Sequence, residues 1–77
     1  MEINIIAFGP IVDLTGSQAW KISGIKNTDE LMRKLAEQFP SLPKTNFIIA
    51  VNKNIIFKNT ELNPNDTVAL LPPYSGG

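Results

Sequence analysis

Only one stretch of this sequence takes on a helical period, and the segments around it alternate as strands do. Asn27-Thr28-Asp29-Glu30 opens it. Asn27 or Thr28 can cap the first turn, the acidic residues stand where the helix dipole favours negative charge, and Glu30 falls three places after Asn27 as in a capping box. Leu31, Met32, Leu35, Ala36 and Phe39 then recur at helical spacing as one apolar stripe, leaving Arg33, Lys34, Glu37 and Gln38 to water. Pro40 disfavours helical geometry at Phe39 and closes the element, and Pro43 keeps Ser41 to Lys44 in a loop. A single amphipathic helix must bury its stripe against something, and the rest of the chain offers only strands.

Those strands are expected at Met1 to Phe8, Gln18 to Ile22, Phe47 to Val51, Ile55 to Phe57 and Thr67 to Leu71. Gly9-Pro10 breaks the first, because proline cannot donate to a ladder, and Asp13-Leu14-Thr15-Gly16 supplies turn residues, so the first hairpin has a long loop. Gln18, Trp20 and Ile22 share one side of the second strand, which makes Trp20 a packing residue. Phe47-Ile48-Ile49-Ala50-Val51 is apolar on both faces, as an inner strand is. Asn52-Lys53-Asn54 makes a tight turn, and in Asn63-Pro64-Asn65-Asp66 the proline presets φ while Asn65 tolerates the left-handed region. The order is ββαββ with a final strand that carries the C-terminus outward. This is an α+β domain with one helix on a mixed sheet, and it resembles a ubiquitin-like β-grasp.

One helix covers one face of such a sheet. Yet Ile6 and Phe8 stand opposite Ile3 and Ile5, and Leu71 opposite Leu70, so both faces carry apolar side chains. The second face is either a partner surface or is covered by a loop such as Lys58 to Asn63.

Composition removes most chemistry. The 77 residues are expected to form one domain, residues 1–77 with a flexible tail at 72–77, and contain no cysteine and no histidine. Thiolate nucleophiles, Cys/His metal sites and Ser-His-Asp triads are thereby excluded, so no metal and no self-sufficient catalysis is expected. Seven Lys/Arg balance seven Asp/Glu without a run of either sign, which points away from nucleic acid and anionic membranes. The longest apolar run, Phe47 to Val51, is far too short to span a bilayer, and Met1-Glu2-Ile3-Asn4 does not look like a signal peptide. A cytoplasmic protein is expected.

The last residues, Leu70-Leu71-Pro72-Pro73-Tyr74-Ser75-Gly76-Gly77, end on a carboxylate carried by glycine. Residues without a Cβ pass through slots too narrow for a side chain and let a partner's reacting atoms approach closely. Pro72-Pro73 favour an extended, semi-rigid arm, and six extended residues reach at most about 20 Å. The alternative is a frayed terminus of no function.

Phe8, Gly16, Val51-Asn52, Thr60, Leu62, Asp66, Val68-Ala69 and above all Pro72-Pro73 with Ser75-Gly76-Gly77 resemble the MoaD-like sulfur carriers, the small subunits of molybdopterin synthase. The chain departs from them at Pro10-Ile11-Val12-Asp13, where a charged segment is usual, at Pro64-Asn65-Asp66-Thr67, and at Tyr74. The resemblance implies that Gly77 is the reacting residue. An adenylating (MoeB-like) enzyme would consume ATP to activate its carboxylate, and a sulfur donor such as a cysteine desulfurase system would convert it to a thiocarboxylate. The large catalytic subunit would then accept the tail, threading Pro72, Pro73, Ser75 and Gly76, with Phe8, Leu71 and Tyr74 at the contact. The carrier binds no cofactor of its own in this scheme. Carriers for thiamine synthesis or tRNA thiolation, and ubiquitin-like protein modifiers, share the Gly-Gly end and remain alternatives.

Overall fold

The computed structural model describes residues 2–73. Five strands form one sheet: β1 (Glu2–Ala7), β2 (Ala19–Ser23), β3 (Ile48–Val51), β4 (Asn54–Ile56) and β5 (Thr67–Leu71), in the spatial order β2-β1-β5-β3-β4. β1 lies antiparallel to β2 and parallel to β5, and β3 lies antiparallel to both β5 and β4. The mixed sheet and its order are those of a ubiquitin-like β-grasp, with β3 an inner strand as its two apolar faces require.

Helix α2 (Thr28–Gln38) packs on one face of the sheet and starts where the sequence places it. The Asn27 side chain accepts from the Glu30 N–H at 2.9 Å, and a Glu30 carboxylate oxygen accepts in turn from the Lys26 N–H at 2.6 Å. Leu31 and Leu35 are fully buried, whereas Met32, Ala36 and Phe39 are half-buried at the margin. Leu31 and Leu35, with Met32 and Phe39 packed against them, meet Ile3, Ile5, Ala7, Val68 and Leu70 from β1 and β5 in one core. The Trp20 ring meets Phe39 edge-on at 5.7 Å, which confirms packing as its role.

The expectation of a single helix is corrected by the structure. Pro10–Thr15 is a six-residue helix, α1, where the sequence suggested a loop, and Leu42–Lys44 is a 3-10 turn. Pro10 stands in the first turn of α1, where its missing N–H has no cost, and Gly16 closes it in the left-handed region (φ 75°) with its N–H on the Val12 carbonyl. The Thr15 hydroxyl donates to the Ile11 carbonyl at 3.2 Å, and Ile11 is buried in the core. Two or three turn-forming residues in so short a segment hide a helix whose stability comes from burying Ile11 rather than from periodicity.

The turns behave as their residues dictate. Asn52 and Lys53 take positive φ (49° and 73°), as a type I′ hairpin turn requires, so Asn54 already belongs to β4. Asn65 adopts φ 69°. A polar clamp links these two turns: Asn52 Nδ2 donates to Asp66 Oδ1 at 2.9 Å, Asn52 Oδ1 accepts from the Thr67 N–H at 3.0 Å, and Asp66 Oδ2 accepts from the Asn63 N–H at 2.8 Å. The Asn52 amide first, and the Asn63 N–H second, hold the Asp66 carboxyl below the usual carboxylate range.

Two outcomes are expected. Leu35→Ala removes a fully buried side chain and should cost about 2–5 kcal/mol, a large part of the roughly 4–12 kcal/mol expected of a chain this size, which urea titration would register. Because the Asp66 carboxyl is lowered in the folded state, its contribution is present above the unfolded value near 4 and fades as pH falls from there towards the folded value. Asp66→Ala should therefore lower Tm at pH 7, and thermal melts should show the gap from wild type narrowing below about pH 4.

Candidate functional site

Strand pairing sorts the side chains between two faces. Ile3, Ile5, Ala7, Val68 and Leu70 point towards α2 and are fully buried. On the other face, register aligns Ala19, Ile6, Ala69, Ala50 and Ile55 in one row across all five strands. Ala69 and Ala50 keep the middle of this row low, with Ile6 half-buried, Ala19 exposed at the β2 edge and Ile55 52% exposed at the β4 edge. A second row lies nearer the end of β5. The Phe8 N–H donates to the Leu70 carbonyl at 3.0 Å, which carries the parallel pairing one step past Ala7 and sets Phe8 beside Leu71, with Ile48 opposite Leu71 on the other side. Phe8 is 41% exposed and Leu71 half-buried. On the side away from the tail the face turns polar, with Lys21, Asn4 and Thr67 in register. Ile6, Phe8 and Ala69 line a shallow depression bordered by Asn52, Lys53 and Thr67. The face is thus graded from polar to apolar in the direction in which β5 runs.

The loop that might have covered this face is held elsewhere. Thr60 exchanges hydrogen bonds with Thr28, its N–H donating to the Thr28 hydroxyl and its carbonyl accepting from the Thr28 N–H, both at 2.9 Å. Asn59 Oδ1 accepts from the Asp29 N–H, also at 2.9 Å, and Leu62 is buried in the core. Lys58 to Asn63 is therefore bound to the start of α2 and does not cover the open face.

The structure brings Phe8, Leu71 and Pro72 together at one end of that face, while Pro73 is exposed. Tyr74, Ser75, Gly76 and Gly77 lie outside the described residues. Sequence reasoning missed two exposed apolar residues. Ile55 extends the open-face row, and Phe57, 92% exposed, borders a groove with Met32, Phe47, Ile49 and Ile56 on the side of α2. The signal was the apolar triplet Ile55-Ile56-Phe57, which runs from the edge strand β4 into the residue just past it. Among the described residues no group of three or more His, Cys, Asp or Glu could hold a metal, and no helix is long and apolar enough to cross a membrane. The arrangement can bind an apolar surface and present the chain that follows β5.

The solved structures most informative for this geometry are small proteins of the same fold. A chain from the complex of subunits 1 and 2 of molybdopterin-converting factor from Helicobacter pylori is 29% identical with a TM-score of 0.76, each chain covered over 100% of its length. The molybdopterin converting factor subunit 1 described for Pyrococcus furiosus is 18% identical, with a TM-score of 0.86 over 96% of this chain and 99% of that one. Small archaeal modifier protein 1 (SAMP1) from Haloferax volcanii is 17% identical, with a TM-score of 0.82 and full coverage of both chains. The sequence pattern of the ThiS family matches residues 5–77, nearly the whole chain, and the chain belongs to that family.

Proposed function

We propose that the protein is a sulfur carrier that serves as the small subunit of a molybdopterin synthase. The observation that carries this role is the continuity of the apolar open face with the end of β5, so that a partner gripping Phe8 and Leu71 has the Pro72-Pro73-Tyr74-Ser75-Gly76-Gly77 segment at hand. The Helicobacter pylori relative, a complex of two subunits, supports a large-subunit partner. The chain contributes docking and delivery, and its partners contribute catalysis.

The chemistry follows from the carboxylate. As an acyl donor it would have to expel oxide, so an adenylating enzyme first lets a Gly77 oxygen attack the α-phosphorus of ATP, with pyrophosphate leaving. A hydrosulfide equivalent from a sulfur donor then attacks the carbonyl carbon and expels AMP. The thiocarboxylate sulfur then attacks a carbon of a pterin precursor in the large subunit and displaces an oxygen substituent, and water hydrolyses the acyl thioester so formed, leaving the sulfur on the pterin and returning the carboxylate. The absence of side chains at Gly76 and Gly77 suits a narrow channel.

A second role is favoured by the likeness to SAMP1 structures, namely a ubiquitin-like modifier joined through Gly77 to a lysine of another protein. Intact-mass analysis separates the two: a carrier gains sulfur in place of one oxygen, and a modifier becomes joined by an isopeptide bond.

Adding one residue after Gly77 turns the needed carboxylate into an amide, and the extended chain should gain no sulfur when incubated with the adenylating enzyme, ATP and a sulfur source. Its acquisition of sulfur without trimming would remove Gly77 as the carrier atom's site. Gly76→Val should leave Tm nearly unchanged and slow activation or transfer, because a branched side chain blocks close backbone approach. Phe8→Asp should leave a folded domain and weaken binding to the large subunit by about 2 kcal/mol or more, roughly thirtyfold in Kd by calorimetry. Unchanged affinity would place the docking surface elsewhere.

A further inference from the structure

The first residue of the tail is seated on the folded body. Gly9 bridges the end of β1 and the start of α1 with φ 58° and ψ −139°, a conformation that L residues rarely adopt. It is held from both sides: the Phe8 N–H is bonded to the Leu70 carbonyl, the Gly9 carbonyl accepts from the Val12 N–H at 3.1 Å, and Ile11 anchors α1 in the core. A Cβ placed on Gly9 would come within 3.0 Å of Pro72 Cγ and 4.0 Å of its Cδ, so the pyrrolidine ring rests where a side chain would be. Pro72 is accordingly half-buried while Pro73 is exposed.

Pro72 is also locked internally. Its ring fixes φ, and the following Pro73 confines its ψ to the extended region. A rigid dipeptide with one ring packed on a fixed glycine has little freedom to swing. The root sets where the rest of the tail leaves the body, and the four residues beyond Pro73 reach at most about 14 Å from there. A misplacement of about 1 Å can cost a hundredfold in a reaction that depends on alignment.

We propose that Gly9 is a positioning residue for the C-terminal tail: the gap left by its missing side chain seats Pro72 and thereby directs Gly77 towards the adenylating enzyme. This role rests on the carrier function proposed above, and Gly9 touches no reacting atom.

The test is a double-mutant cycle of Gly9→Ala and Pro72→Ala in the full chain, read by ATP–pyrophosphate exchange with the adenylating enzyme and by Tm. Backbone strain at a substituted Gly9 is common to both backgrounds and cancels, which leaves the coupling through the seat. With Pro72 present, Gly9→Ala should lower kcat/KM by about ten- to a hundredfold. With Pro72→Ala already made, the same change should cost less than about threefold, since the ring it would have displaced is gone. An equal loss in both backgrounds would overturn the positioning role while leaving the carrier function intact. If Gly9→Ala does not fold, Pro72→Ala alone decides, because it leaves the Gly9 backbone untouched: a folded variant with undiminished kcat/KM overturns the proposal. A wild-type chain that supports no exchange would sink the carrier function and the positioning role with it.

Discussion

The structure depends on the parallel pairing of β1 with β5, from Asn4 opposite Thr67 to Ala7 opposite Leu70. These strands come from opposite ends of the described chain, and everything between them serves as the connection that a parallel pair demands. Closing so long a loop costs entropy before any contact repays it. The repayment is visible in the burial of Ile3, Ile5, Ala7, Val68 and Leu70, all without exposed surface, beneath Leu31 and Leu35 of α2. The flanking strands β2 and β3 remove both central strands from the sheet edge.

That pairing has a second effect, on the position of the C-terminal segment. Because β1 and β5 run in the same direction, the end of β5 emerges beside the end of β1, where Phe8 and Gly9 lead into α1. Phe8 and Leu71 therefore meet on the open face, and Pro72 meets Gly9. An antiparallel pairing of the same two strands would have placed the tail beside the N-terminus and far from either. The exposed apolar end of the open face and the root of the tail share one end of the sheet because of strand direction.

The two faces differ in how much apolar surface they bury. α2 and the loop tied to its N-terminus by Thr28, Asn59 and Thr60 seal one side. On the other, Ala50 and Ala69 expose little apolar area, and the larger exposed groups are Phe8 and Ile55. Burying such groups against a partner gains about 25 cal/mol for each Å² of apolar surface, and their exposure in the free chain costs the fold little.

The sequence by itself determined the features set by near neighbours. Asn27 with Glu30 begins α2 and Pro40 ends it, the apolar stripe selects its buried side, Asn65 takes positive φ, and Asn52-Lys53 forms the hairpin turn. Each depends on residues within a few positions, so periodicity and turn chemistry suffice to find it. Tertiary structure alone decided the rest. α1 is too short to display a period and exists because Ile11 is buried in a core built from distant strands. Whether the loop at Lys58 to Asn63 covered the open face turned on hydrogen bonds to Thr28 and Asp29, some thirty residues away. The seat of Pro72 on Gly9 joins residues 63 positions apart, a contact that strand direction creates and that no local pattern encodes.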